Sequence, residues 1–350
     1  ALLAGLADAR ISALAEFLAS FRDLVGDARE DAALADLAEQ ALESLNETSE
    51  RYKPSCSCLS EGIPQRDRVE IFTWLVHTFE VVHFSDALLF DTALIIDRFY
   101  AARPYEEING TDAQQKLLAF VLIALKTGSR DNESQLPLRQ IVSYLGRDKV
   151  PFERILAAEI AVLRKLRYCV GTPTAHEMLV ALSARLSSEC TNVCRSLASF
   201  LLQMTLVDVR LHYQYPHAVL AAAALALALF ATRAPAEAYR SVLEDLALAV
   251  PEEALLGGQL TRCCQDIHCL WVQTHDGSCS ATATFTQQLG SKFAVADRHE
   301  VSALAPPTLA PLALPPYAQA QKATGAGRAA QNGRHAAGAG AAVGADAGSP

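Results

Sequence analysis

The sequence predicts an all-α chain built from two helical domains of similar pattern, and three observations carry that reading. Between Ile71 and Tyr168 four apolar segments recur at helical spacing: IFTWLV, ALLFDTALIIDRFY, KLLAFVLIALK and ILAAEIAVLRKLRY. The second half repeats the first at coarse grain. FLLQMTLVDVRLHY echoes ALLFDTALIIDRFY, with Asp208 following two aliphatic residues, and AVLAAAALALALF takes the place of KLLAFVLIALK, a period of about 120 residues. Finally, 350 residues that are 51% hydrophobic suffice for two ordinary domains with substantial cores.

Taken in order, residues 1–50 read as helical, with Leu14, Phe17, Leu18, Phe21, Leu24 and Val25 on one face. LADLAEQALESL resumes an apolar face from Leu34, and Gly26 and Asp27 separate the two helices. The prolines and serines of ERYKPSCSCLSEGIP end that pattern. Cys56 and Cys58 there form a lone CxC, which without a second ligand pair is weak evidence for zinc. Pro64 suits the first turn of the next helix. Its spacing sets Asp67, Glu70, Trp74 and His77 on one face, while Phe72, Leu75, Val76 and Phe79 serve the inside.

In the following helix Leu88, Leu89, Thr92, Ile95, Ile96 and Phe99 recur at steps of three and four around Asp97 and Arg98. The next segment, apolar nearly all round from Leu117 to Leu125, suits a helix enclosed by others and ends in Lys126. TGSRDNESQLP then reads as a loop. Two helices follow, LRQIVSYL and one beginning near Pro151, in which Glu159 shares a side with Leu156 and Leu163. Gly171 and Pro173 mark the domain boundary.

The run from Ala218 to Ala231 falls short of the roughly 20 residues that a bilayer requires, so it reads as a buried helix whose alanines admit close neighbours. In CCQDIHC a helix would send Cys263 and Cys264 to different sides. With His268, Cys269, His275 and Cys279 they lack a CxxC pair, and small buried residues account for them more simply than a metal does. Residues 303–350, rich in alanine, proline and glycine, read as a disordered tail.

A net charge of −9 argues against general nucleic-acid binding. Nine irregularly spaced cysteines suit reduced thiols in a cytosolic or nuclear protein, and the first residues do not form an obvious secretory signal. No GxGxxG or Walker sequence is present, and no catalytic residue, cofactor site or metal site is assigned.

Arg68 six residues before Trp74, then LIIDRFY, LLAFVLIALK and LAAEIAVLRKLRYCVGTPTAHEML, in that order, resemble the cyclin box, the five-helix domain through which cyclins bind and activate cyclin-dependent kinases. FLLQMTLVDVRLHYQYPHAVLAAAALALALF is similar to the second cyclin fold, and LTRCCQDIHCL and SKFAVADRHEVS to its last helices. The likeness runs over residues 45–302 and implies tandem five-helix domains. They divide as an N-terminal helical extension and linker over 1–60, a first box over 61–171, a second fold over 172–302 and a tail over 303–350.

The resemblance also assigns roles. Arg68 and Asp97 match an internal ion pair tying the first box helix to the second. Lys126 and Glu159 match the pair that grips the kinase's activating helix, which as exposed charges would offer donors and acceptors to the ends of partner backbone segments. Thr127 and Gly128 replace acidic residues that commonly follow that lysine. The face of Asp67, Glu70, Trp74 and His77 matches the groove for RxL-type docking peptides, and two carboxylates there predict weakened binding of the usual leucine anchor. The local alternative is that Trp74 covers its own domain's surface. The N-terminal helices either pack on their own domain or add kinase contacts.

The implied function is a non-catalytic regulatory subunit of a cyclin-dependent serine/threonine kinase, acting in cell-cycle control in nucleus or cytoplasm. Neither nucleic acid nor a membrane is expected as a partner. The alternative is a cyclin-fold scaffold or transcription-associated protein acting without kinase activation.

Overall fold

A computed structural model describes residues 42–102, 110–128, 137–185, 191–234, 242, 258–278 and 280–307. Regular structure among them is helical throughout. After a helical stretch over 42–52 come α1 (Cys56–Gly62), α2 (Gln65–Val82), α3 (Asp86–Ala101), α4 (Gly110–Thr127), α5 (Leu138–Leu145) and α6 (Phe152–Lys165). The second half holds α7 (Ala175–Arg185), α8 (Asn192–Met204), α9 (Val209–Gln214), α10 (His217–Ala231), α11 (Gln259–His275) and α12 (Ala283–Lys292). The N-terminal segment before residue 42, most of TGSRDNESQLP, Cys279 and the tail beyond residue 307 lie outside the described residues.

Local chemistry sets the boundaries. Prolines 64, 137, 151 and 216 occupy the N-cap positions of α2, α5, α6 and α10, where a missing N–H costs no helical bond. The Ser85 side chain accepts from Leu88 N at the start of α3, and Thr191 accepts from Cys194 N at the start of α8. Thr174 and Glu177 form a reciprocal capping box before α7: Glu177 Oε2 accepts from Thr174 N at 2.7 Å, and Thr174 Oγ1 accepts from Glu177 N at 3.3 Å. His83 ends α2 in the left-handed region at φ 58°, letting Phe84 N reach Phe79 O at 2.8 Å.

Each half is arranged around an enclosed helix. In the first, α4 packs against α3, α5 and α6, and its stretch from Leu118 to Ala124 is fully buried. In the second, α10 packs against α7, α8 and α11 and is buried from His217 to Leu229. Its alanines bring these neighbours close, as at Cys264 of α11, whose thiol reaches Ala223 O at 3.8 Å.

Two readings from sequence need correction. CSCLSEG forms the short helix α1 rather than ending helical structure, because Leu59 is fully buried and α1 packs on α3. FLLQMTLVDVRLHY is not one helix like its counterpart. It breaks after Met204 into a 3₁₀ turn over Thr205–Val207, and Asp208 becomes the N-cap of α9 by accepting from Leu211 N at 3.0 Å. A short acidic side chain stabilises a helix start more readily than a helix interior.

The halves are extensively joined. Helix α12 packs along α2 and α7 packs on α3, so both halves belong to one compact unit.

Candidate functional site

Lys126 lies in the last turn of α4 and Glu159 in the middle of α6, and these two helices pack against each other. The Lys126 ammonium donates to both carboxylate oxygens of Glu159, at 2.6 and 2.8 Å. The pair is unequally exposed: 39% of the lysine side chain is accessible, against 9% for the glutamate. Exposure of both was expected. Instead Ile155, Glu159 and Val162 form the buried stripe of α6, while Leu156 and Leu163 are half-buried beside it. A carboxylate tolerates that position because the lysine satisfies both of its oxygens. The arrangement is a preformed charge pair in which the lysine is the more exposed member.

Arg68 and Asp97 meet where neither side chain has any exposure. Arg68 Nη1 donates to Asp97 Oδ1, and Arg68 Nη2 donates to Asp97 Oδ2 at 2.9 Å. Two further donations reach the backbone oxygen of Leu206, from Nε at 2.9 Å and from Nη2 at 2.6 Å, and Tyr213 Oη donates to Asp97 Oδ2 at 2.6 Å. The pair therefore joins α2 to α3 and both to the second half. Burial would lower the Arg68 pKa, but the Asp97 charge and hydrogen bonds outweigh it, and the net shift is upward. Burial, then the neighbouring Asp97 carboxylate, holds the Tyr213 phenol well above its ordinary range. Arg98 points elsewhere, stacking over Tyr52 with 5.0 Å from Cζ to the ring centroid and donating to Thr172 Oγ1 at 3.4 Å.

Of the four residues on the predicted peptide-binding face, only Trp74 lines an open apolar cavity, of about 260 Å³. Ile71 shares its α2 wall. Tyr100, Gln114, Leu117 and Leu145 contribute from α3, α4 and α5. Asp67 is half-buried, Glu70 is exposed and paired with Arg66 at 3.1 Å, and His77 is exposed. The carboxylates thus stand one helical turn before the apolar wall and do not fill it, so Trp74 covers a cavity rather than a flat surface.

Sequence reasoning missed a second buried charge cluster. Asp86 Oδ1 accepts from Lys292 Nζ at 2.7 Å, and its Oδ2 accepts from Arg298 Nη1 at 2.8 Å and Ser199 Oγ at 3.1 Å. The available signal was the eleven-residue spacing between Asp86 and Asp97, three helical turns, which puts both carboxylates on one face of α3 with Phe90 between them. No group of three potential metal ligands occurs among the described residues, where Cys263 and Cys264 are buried helix residues and Cys269 is exposed. Among them, no helix is long and apolar enough to cross a membrane.

Two family models match: the cyclin N-terminal domain over residues 40–171 and the cyclin C-terminal domain over residues 173–307. Among curated relatives, G2/mitotic-specific cyclin-B2 of Rana japonica is 26% identical over 166 residues, covering 47% of this chain and 40% of that protein. The protein of the same name from Anguilla japonica is 25% identical over 161 residues, covering 46% of this chain and 39% of its own length. The matched stretch thus spans about two fifths of either relative. A viral cyclin from herpesvirus saimiri shares the fold at a TM-score of 0.50, with 16% identity over 71% of this chain and 97% of the viral one. With both halves matched in order and an enclosed helix at the centre of each, the chain belongs to the cyclin family.

Proposed function

We propose that this chain is a non-catalytic regulatory subunit that binds and activates a cyclin-dependent serine/threonine kinase through the surface carrying Lys126 and Glu159. The observation that supports this reading is the preformed pair at the α4–α6 joint, whose lysine side chain is partly exposed and whose carboxylate is held in place. An incoming helix leaves carbonyls unpaired at one end and N–H groups at the other. Lys126 can turn a donor to the former, and Glu159 can accept from the latter. Such a grip would hold the kinase's mobile regulatory helix inward, aligning that enzyme's own lysine–glutamate pair and favouring an open activation loop. The chain contributes no phosphoryl-transfer group to this scheme.

The curated relatives are named as G2/mitotic-specific cyclins, which favours a role in cell division for this chain, and we place that role in nucleus or cytoplasm. The cavity beside Trp74 would serve peptide docking, weakened for RxL-type ligands by the nearby Asp67 and Glu70.

The test is co-purification and activation of a panel of cyclin-dependent kinases by the parent and by a Lys126→Met, Glu159→Gln variant of nearly conserved volume. Loss of hydrogen-bonded interface charges should weaken binding by about 2–5 kcal/mol. Excess variant should partly restore phosphorylation, since only association is impaired. Equal binding and activation by a folded variant would refute the site. A parent that activates no kinase would favour the scaffold function.

A further inference from the structure

The face of α3 defined by Asp86, Phe90 and Asp97 is turned to the second half along its whole length. Phe90 stacks on His176 of α7, with ring centroids 5.4 Å apart, and lies 6.3 Å from the ring of His212. Asp97 receives Tyr213 Oη from α9, and Asp86 receives Ser199 from α8, Lys292 from the end of α12 and Arg298 from the turn beyond it. The two carboxylates stand about 16 Å apart along the helix, so they anchor α3 at two separated points.

The two anchors differ in what they hold. Asp97 has its cation from its own half, Arg68 of α2. Both cations of Asp86 come from the chain's far end, and Lys292 also donates to Gln203 Oε1 at 3.0 Å. Only 2% of the Lys292 side chain and 8% of that of Asp86 is exposed, against 31% for Arg298. The cluster closes a segment whose helix α12 packs along α2 and whose Val301 is fully buried against α8. Helix α2 therefore takes one of its packing partners from more than 200 residues away in the chain.

We propose that Asp86, Lys292 and Arg298 form an interdomain latch, holding the C-terminal segment over residues 283–303 against α2 and α3 so that the first fold's binding surface depends on it. The latch itself rests on geometry, and only its effect on partner binding rests on the kinase-regulatory function above. Replacing Asp86 leaves the buried Lys292 ammonium without its carboxylate, and replacing either cation leaves Asp86 with one instead of two; each change frees the segment locally while α4 and α10 stay enclosed.

The test is amide hydrogen exchange on the full chain. Asp86→Lys should raise exchange in α12, in residues 296–303 and at the start of α3 by tenfold or more. Amides of α4 and α10 should stay within about threefold of the parent. Asp86→Lys with Lys292→Asp restores one ion pair while Arg298 loses its carboxylate, and should bring exchange in the segment at least threefold closer to the parent than the single change. Should Asp86→Lys not fold, Asp86→Asn and Arg298→Gln give the same regional pattern at smaller amplitude. An increase spread evenly over all helices, no increase, or a swap that leaves the segment as open as the single change overturns the latch. Kinase affinity of the same variants, read against the parent, separates the two ideas. A parent that binds no kinase refutes the function and leaves the exchange result standing, whereas a bound kinase whose affinity ignores an opened latch overturns the coupling.

Discussion

Replacing Arg68 by methionine removes a guanidinium that makes four donations, two to Asp97 and two to Leu206 O, with no solvent access to replace any of them. Asp97 would keep only the Tyr213 hydroxyl, leaving a buried carboxylate without its cation. Breaking a buried ion pair by removing one member costs about 3–5 kcal/mol, because the survivor remains desolvated. The larger half of that range fits here, since Leu206 O also loses its donors and the contact of Arg68 Cζ over the Phe72 ring, 4.5 Å from its centroid, loses its charge.

For a domain of 150–250 residues each kcal/mol moves Tm by about 2–4 °C, so the loss of about 4–5 kcal/mol in Arg68→Met should lower Tm by about 8–20 °C. The family resemblance gave Arg68 one partner, Asp97, where the structure adds Leu206 O and the Phe72 ring. Urea unfolding followed by circular dichroism gives the free energy by linear extrapolation. Arg68→Met with Asp97→Asn should recover much of the loss, because no buried charge is then stranded. A cost under about 1 kcal/mol for the single change, or a double variant no better than the single, would refute the claim that the buried carboxylate sets the penalty.

Lys126→Ala alone should destabilise the fold more than Lys126→Ala with Glu159→Gln, because Glu159 lies in the buried stripe of α6. Reversal of that order in thermal melts would show that the carboxylate escapes to water. Burial holds His212 well below its ordinary pKa and lowers His217 to about 3, while the unfolded chain binds protons near 6.5. The unfolded state therefore takes up more protons in acid. Stability is full above about pH 6.5 and falls toward pH 3, by up to about 2.7 kcal/mol per pH unit for the two groups together. His217→Gln should remove about half of that slope, and an unchanged slope in urea midpoints between pH 5 and 6.5 would count against the assignment. Asp67→Met with Glu70→Ile should strengthen binding of an RxL peptide in calorimetry, and tight binding by the parent, lost on Trp74→Ala, would show that the carboxylates do not weaken the groove. Ala223→Leu in α10 should cost about 1–3 kcal/mol by overpacking, since that alanine is fully buried beside Cys264; an unchanged melting temperature would show slack there.

Much of this protein could be read without coordinates because it is written in local terms. The step of three and four in ALLFDTALIIDRF and the prolines before α2 and α6 each act through neighbours within a turn or two. The apolar run of α10 likewise required enclosure whatever surrounded it. Where local chemistry competed with pattern, pattern lost: Asp208 had the right place in the repeat but the energetics of an N-cap. CSCLSEG became a helix through tertiary contact, the burial of Leu59 as α1 packs on α3.

Only the tertiary structure decided which charges are buried and what compensates them. Asp86 reads locally as an ordinary first-turn acid, and Lys292 and Arg298 as surface bases near the chain's end, until packing brings them together across 206 and 212 residues. The same holds for Leu206 O and Tyr213 around Arg68 and Asp97, and for Glu159, whose place in a buried stripe depends on where α4 sets Lys126. A helix period reports which residues share a face. Whether that face meets water or a second domain, and so whether a carboxylate there costs stability or supplies it, depends on contacts between segments far apart in the chain.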